Sequence, residues 1–342
     1  GYDGGVLPLQ RYVTLEQLYM PEHEVEIDGR VREHLDSVPK ARWLDLFNAR
    51  YLITDKTGDV WHDGVFYDRQ HPVSFSGENT VSVSYLPDFE ATELRLLASA
   101  QPDAVHVVTR NGEGWTLTPQ LVENSLYSVP FPRPARLEQV TITACVQEAA
   151  CTLEGLTLVD GRDGAFHSLV PGNYRLIHSG DVKIYENRDV LPRAFMVSDW
   201  QIVGDSEEAT AALLEPGFDV RSTAVIEVDP AEGLADPGKS QGGNPGQARI
   251  DDYSPERVTV HTDSPEGGLL ILTDAHYPGW VATIDGNPAS IYPANGLFRG
   301  VFVSPGDHEV VFQYDSRSYR TGLIVFIFSL VIIAIVSVSY TH

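Results

Sequence analysis

Lysine is scarce in this chain. Its 342 residues contain four, Lys40, Lys56, Lys183 and Lys239, none beside another, and 24 basic side chains in all stand against 48 acidic ones. The formal net charge of −24 excludes nucleic acid as a partner, because a polyphosphate is bound by clustered Lys and Arg that release its counterions. Adsorption to an anionic lipid surface is excluded on the same ground. Cysteine is scarcer still: Cys145 and Cys151 are the only two, too few for a thiolate metal site. No HExxH, GxSxG, P-loop or strand-borne GxGxxG is present. Among 48 acids any pair spaced for glycoside hydrolysis carries no information. His276, within Asp274-Ala275-His276-Tyr277-Pro278, suits a turn better than a ligand set, and Glu154, Asp160 and Asp163 lack the spacing of a calcium loop. The sequence therefore assigns no catalytic residue, no metal site and no cofactor.

What is present begins at the C-terminus. Residues 323–340, LIVFIFSLVIIAIVSVSY, contain no charge, Pro or Gly. As a helix rising 1.5 Å per residue they cover about 27 Å, close to the roughly 30 Å of a bilayer core. This reads as one transmembrane helix. The N-terminal GYDGGVLPLQ has neither a basic nor an apolar leader character, so the chain is expected to be a piece of a larger protein.

Elsewhere strand-like runs dominate, punctuated by 29 Gly and 22 Pro. A helix is expected from Ser37 and Pro39, with Trp43, Leu44, Leu46 and Phe47 on its apolar side, followed by a strand at Tyr51-Leu52-Ile53-Thr54. A second helix opens at Asp205-Ser206, with Glu207 and Glu208 in its first turn, and stops at Pro216-Gly217. Strands at 181–185, 194–197 and 224–228 surround it. These pieces, 1–64 plus 171–228, form a discontinuous α/β domain.

Residues 65–170 differ in character. VSVSYL, ELRLLA, AVHVVTR, WTLTP, QVTITACV and CTLEGLTLVD alternate at strand length, with Asn111-Gly112 and Asp160-Gly161 as turns. They predict an inserted jelly-roll-like β-sandwich. Cys145 and Cys151 sit at facing ends of two such strands. A bridge there closes a short loop and adds about 2 kcal/mol, and it implies an oxidising, extracytoplasmic compartment; two free buried thiols are the alternative. The same segment and its approach carry Trp61, Tyr85, Trp115 and Tyr127, candidate carbohydrate-binding residues, since aromatic faces beside polar groups stack sugars. Core or edge-covering aromatics are the competing reading. Residues 229–256, rich in Pro, Gly and acid, read as a linker. Residues 257–316 hold six strand-like runs with turns at Asp285-Gly286-Asn287-Pro288 and Ser304-Pro305-Gly306-Asp307. They predict an Ig-like β-sandwich that buries Leu270, Leu272, Trp280, Ile284, Phe302, Val310 and Phe312. The fold class is thus mainly β: two antiparallel sandwiches, a small α/β portion and one C-terminal transmembrane helix. Arg317 and Arg320 before the span favour a cytoplasmic side by the positive-inside rule, while the cysteine pair and the acidic surface favour the outside, which we adopt.

The order of GYDGGVLPLQRY, LDLFNARYLIT, YRLIHSGDVKIYENRDVLPRAFMV, EATAALLEPGFDVRSTAVIE and GLLILTDAHYPGWVATIDGNPASIYPANGLFRGVFVSPGDHEVVFQYDSRSYRTGLI resembles the C-terminal part of the YfhO-type bacterial membrane proteins. ENRDVLPRAFMV and DAHYPGWVATIDG through FRGVFVSPGDHEVVFQY are its specific stretches. The resemblance covers about 1–64 and 171–340 and leaves 65–170 as an insertion. It implies a polytopic protein similar to the GT-C glycosyltransferases, which use polyprenyl-phosphate-linked sugars to glycosylate cell-envelope polymers such as lipoteichoic acid. In that class the catalytic acid lies between N-terminal spans, so no catalytic residue is carried onto this sequence. The implied chain is the extracytoplasmic part of a membrane protein, binding acceptor or bracing the embedded active site. Its implied partners are the bilayer through 323–340, the N-terminal transmembrane part of the same protein, and an envelope glycan or polyprenyl-linked sugar. A non-catalytic glycan-binding or structural envelope module on one span is the alternative.

Overall fold

The computed structural model describes residues 39–75, 80–143, 145, 151–215, 217–228, 243–315 and 317–340, together with Arg11, Tyr12, Leu15 and Leu18; side chains of the last helix are described over 321–333. Most of the expected N-terminal segment, and 229–242 of the expected linker, lie outside the described residues. The chain divides into two compact units, one of 35–45 and 49–190, the other of 1–34, 46–48 and 191–342.

The first unit is built of short antiparallel strands. In chain order they are β1 (Tyr51–Thr54), β2 (Val60–His62), β3 (Val65–Tyr67), β4 (Val73–Phe75), β5 (Thr80–Val83), β6 (Glu90–Ala98) and β7 (Val105–Thr109). There follow β8 (Gly114–Leu117), β9 (Gln120–Glu123), β10 (Leu126–Thr143), β11 (Cys151–Asp160), β12 (Ala165–Leu169), β13 (Tyr174–Ser179) and β14 (Lys183–Asn187). The short helix α1 (Ala41–Leu46) precedes them, starting after Pro39 as expected and burying Trp43, Leu44 and Leu46. A nine-stranded sheet runs β12-β11-β6-β10-β7-β8, with β4, β5 and β9 paired off this path. Strand β10 joins its two ends: Leu126 to Pro130 and, past a bulge, Ala135 and Arg136 pair with β6, while Leu137 to Ile142 pair with β7. Inward positions supply one buried cluster that includes Leu94, Leu96, Val107, Val129, Val140, Leu156 and Leu158. A three-stranded sheet, β1-β14-β13, and the hairpin β2-β3 complete the unit. The Cys145–Cys151 disulfide is formed, with Cα atoms 5.8 Å apart, and both residues belong to that cluster.

The second unit contains β15 (Ala194–Val197), β16 (Asp199–Val203), α2 (Ser206–Leu214), β17 (Thr223–Glu227), β18 (Gln247–Tyr253), β19 (Arg257–Ser264) and β20 (Gly268–Leu272). It continues with β21 (Trp280–Ile284), β22 (Asn287–Ala289), β23 (Tyr292–Ala294), β24 (Phe298–Val303), β25 (Gly306–Tyr314) and α3 (Arg317–Tyr340). The Asp205 side chain caps α2 by accepting from the Glu207 and Glu208 amides at 2.9 Å each, which satisfies donors that a helix start leaves unpaired. The β16-α2-β17 crossover is parallel and is the α/β portion. A six-stranded sheet, β15-β20-β24-β23-β17-β16, packs against a five-stranded one, β18-β19-β25-β21-β22, through Met196, Val260, Leu270, Leu272, Val301, Val310 and Phe312.

Three details differ from the sequence reading. Residues 194–197 and 223–227 share a sheet with 268–272, 292–294 and 298–303, so strands on both sides of 229–256 form one unit. The linker residues 247–253 are an edge strand, β18, whose Ala248 and Ile250 pack inward. Phe302 lies on the opposite face from Val301 and Val303 and meets Trp200 at 5.1 Å, because alternate strand residues face opposite ways. Among the described residues no helix is long and apolar enough to cross a membrane. The described α3 side chains over 321–333 are all exposed.

Candidate functional site: an aromatic pocket over a buried lysine

The hairpin β2-β3 turns through Asp63 and Gly64, both at positive φ (49° and 73°), the geometry of a type I′ turn whose twist matches its strands. The register sets Trp61 opposite Phe66. Trp61 packs at 5.4 Å on Phe66 and edge-on at 5.6 Å on Phe166 of β12. Two aromatic contacts hold the indole, yet it remains 67% exposed. Leaving so large an apolar face in water costs roughly 25 cal/mol per Å², and an indole braced by two rings with its face still open is suited to ligand stacking.

Beside this platform opens a pocket of about 520 Å³ lined by Lys56, Asp59, Trp61, Phe66, Phe166, Ser179 and Lys183. Two of the chain's four lysines therefore line one pocket. Lys183 is 1% exposed, and a buried ammonium needs paired charge and hydrogen bonds. It donates to Asp59 at 2.7 Å and contacts Asp68 at 3.0 Å, and its Nζ lies 5.0 Å from the Phe66 ring centroid. Asp68 also accepts from the Tyr185 hydroxyl at 2.6 Å and from the Gln70 amide at 3.1 Å. Burial and the Asp68 carboxylate push the Tyr185 phenol up, so it stays a donor. His71 stacks on Tyr174 and Tyr185 (4.8 and 4.3 Å), and burial lowers its pKa to about 4, which leaves a neutral imidazole. The pocket thus offers an aromatic wall with the Trp61 face open, a fixed ammonium–carboxylate pair and a second ammonium, Lys56. Chemically, that combination has what stacking on the apolar face of a sugar ring requires, with Asp59 able to accept from its hydroxyls and lysine able to donate to them. Among the described residues no group of His, Cys, Asp and Glu could hold a metal ion.

The four aromatics named from sequence do not converge. Tyr85 lies apart, 39% exposed, with the Arg175 and Arg188 guanidiniums 5.7 and 6.0 Å from its ring. Trp115 lines a different cleft. Tyr127 is 6% exposed inside the nine-stranded sheet's core, which leaves no ring face for a ligand, so the expected sugar-binding role does not fit it. Sequence reasoning missed Phe66, Phe166, Asp59 and Lys183. One signal was available: Lys183 falls in the same alternating phase as the buried Tyr185, a charge at an inward position that requires a partner.

Against known proteins, the family model described as "Bacterial membrane protein YfhO" matches residues 241–326, strands β18 to β25 and the start of α3. No curated protein matches the chain. Among solved structures, the arabinofuranosyltransferase AftD from Mycobacteria aligns at 9% identity and TM-score 0.21 over 80% of this chain and 24% of that one. A mutant of the same enzyme aligns at 13% identity and TM-score 0.23 over 85% and 26%. An oxalate decarboxylase from Bacillus subtilis aligns at 12% identity and TM-score 0.15 over 78% and 72%. Likenesses at such scores carry no argument, and the chain spans about a quarter of the length of the arabinofuranosyltransferase chains. What stands is the family match: residues 241–326 of this chain are similar to the family described as "Bacterial membrane protein YfhO".

Proposed function

We propose that this chain is the extracytoplasmic, glycan-contacting part of a polytopic membrane protein resembling the GT-C glycosyltransferases, and that it positions an envelope glycan or a polyprenyl-linked sugar for chemistry performed elsewhere in the same protein. The observation that carries the reading is the Trp61 pocket, where an exposed, braced indole stands beside fixed polar groups. The disulfide supports an oxidising compartment. The pocket is presented by the β2-β3 hairpin, with Phe166 of the nine-stranded sheet and Ser179 and Lys183 of the three-stranded sheet beside it. The transmembrane span belongs to this reading on the sequence alone, because 323–340 carries no charge, Pro or Gly over a bilayer-length run.

Titrating the full chain in nanodiscs with solubilised envelope glycan tests the pocket. Trp61→Ala should weaken binding about tenfold, the loss of roughly 1.4 kcal/mol of stacking, and Lys56→Gln should weaken it less. Equal affinity for wild type and Trp61→Ala refutes the reading. Thiol labelling of single cysteines placed in the exposed 111–113 turn of intact cells tests the topology, and protection from an impermeant reagent would place this unit inside.

A further inference from the structure

A second concavity, of about 390 Å³, lies at another end of the nine-stranded sheet. Three segments build it. The β7-β8 hairpin turns at Asn111-Gly112, with Gly112 at φ 80°, and is closed by the Thr109 amide on the Glu113 carbonyl (2.8 Å) and the Glu113 amide on the Thr109 hydroxyl (3.1 Å). The β10 bulge between Pro130 and Ala135 takes Arg133 and Pro134 out of the ladder, and bulges re-aim side chains in this way. The approach to β6 supplies Asp88 and Glu90. Trp115 of β8 lines the same space, half-buried, with its ring 6.0 Å from Phe131 and packed on the sheet's core.

The polar lining is balanced. Arg110 and Arg136 both reach the Asp88 carboxylate (2.9 and 3.2 Å), Arg133 pairs with Glu113, and Glu90 holds Arg162 at 2.7 Å. Three lining guanidiniums and three lining carboxylates cancel within the cleft. An anionic ligand gains no net attraction here. A uronate oxygen can reach a free guanidinium N–H without breaking these pairs, but it does so beside the Asp88, Glu90 and Glu113 carboxylates and in the field of a chain of net charge −24. A neutral polyhydroxylated ring meets no such obstacle. Each hydroxyl can accept from a guanidinium N–H and donate to a neighbouring carboxylate oxygen while the ion pair stays formed, and charge-assisted bonds of this sort are the stronger ones. The indole supplies the apolar face.

From this geometry we infer that the cleft of Trp115, Asp88, Arg110, Glu113, Arg133 and Arg136 is a binding site for neutral glycan, separate from the Trp61 pocket and selective against uronate-bearing chains. The residues of the two sites do not overlap, so either can fail alone.

The test uses the full chain in nanodiscs, carrying Trp61→Ala to silence the other pocket, and titration calorimetry with mannohexaose, arabinohexaose, cellohexaose, chitohexaose and hexagalacturonate. At least one neutral probe should saturate, about tenfold or more tighter than hexagalacturonate, with an affinity unchanged between about 50 and 500 mM NaCl, where screening would abolish a charge-driven contact. Trp115→Ala should weaken that probe at least about tenfold, Asp88→Asn should weaken it by a similar factor, and Trp115→Phe, which preserves the packing, should retain most of the affinity. The inference is overturned by hexagalacturonate binding more tightly, by affinity that falls with salt, by Trp115→Ala without effect, or by all four neutral probes failing to saturate.

Discussion

Replacing Lys183 by Met probes how the Trp61 pocket is held together. The substitution keeps most of the side-chain volume and removes an ammonium that is 1% exposed and contacts Asp59 at 2.7 Å and Asp68 at 3.0 Å. The buried Asp68 and the half-buried Asp59 are then left without their cation, and breaking a buried pair from one side costs about 3 to 5 kcal/mol. Partial relief is built in. Asp68 keeps the Tyr185 hydroxyl and the Gln70 amide, and Asp59 keeps the Gln70 side chain at 3.3 Å. The lower end of the range, about 3 kcal/mol, is therefore expected, or roughly two orders of magnitude in the local opening equilibrium. Hydrogen exchange of the β14 amides, paired with β1 and β13, reads that opening directly. Adding Asp59→Asn and Asp68→Asn should recover at least half of the loss, because the penalty belongs to uncompensated charge and not to missing contact. Exchange in Lys183→Met that rises less than about fivefold, equivalent to under 1 kcal/mol, or the absence of rescue in the triple variant, would refute the electrostatic account.

Acid should weaken the same unit through His71. Its pKa falls to about 4 in the folded chain, whereas the unfolded chain takes up the proton near 6.5; stability is therefore full above that value, declines as pH drops towards 4 and levels off below, by at most about 3 kcal/mol. Urea titrations across that range should show a steeper slope in wild type than in His71→Phe, which retains the contributions of His167 and His276, whose pKa values burial also lowers. His308 titrates in the opposite sense, since its bond to Asp285 at 2.6 Å holds its pKa above the ordinary value. The stability it contributes is complete below pH 6.5 and disappears as pH rises through the folded value, which an NMR titration of His308 compared in wild type and Asp285→Asn would register as a lower midpoint in the variant. Reducing Cys145–Cys151, or replacing both by Ser, should cost about 2 kcal/mol, the loop-closure entropy of so short a ring, with the loss confined to the unit containing 49–190 in hydrogen exchange.

Local features of this fold were legible in proportion to how local their causes are. The helix after Asp205 is specified by its own cap and first-turn acids, and the 194–197 strand by its own apolar run, so both fall where the sequence places them. The edge strand β18 was not legible. Its exposed face carries Asp251 and Asp252 beside few inward apolar residues, and charge on an edge, which protects it from pairing with other chains, imitates the composition of a linker. The partition of 194–227 with 257–314 was hidden for a different reason: β15 pairs with β20 and β17 with β23 across long intervening stretches, and no window of sequence contains both partners.

The site follows the same division. Trp61 could be nominated because an aromatic beside polar residues is visible in a short segment, whereas Tyr127, equally aromatic, is removed from candidacy only by the β6 and β9 strands that flank it. Lys183 marks the limit more sharply. A lysine in phase with Tyr185 announces either a solvated strand face or a buried charge, and the two cannot be separated without knowing whether acids lie within reach. Asp59 and Asp68, 124 and 115 positions upstream, settle it, and Asp59 is brought there by the pairing of β14 with β1, which sets Thr54 opposite Lys183. The pocket therefore depends on 65–170 twice, for Phe66 and Phe166 in its wall and for Asp68, the second carboxylate on Lys183. Excising 65–170 should accordingly abolish glycan binding at Trp61 even though Trp61, Asp59 and Lys183 all remain in the chain, while the YfhO-type strands of 247–314 keep their own core.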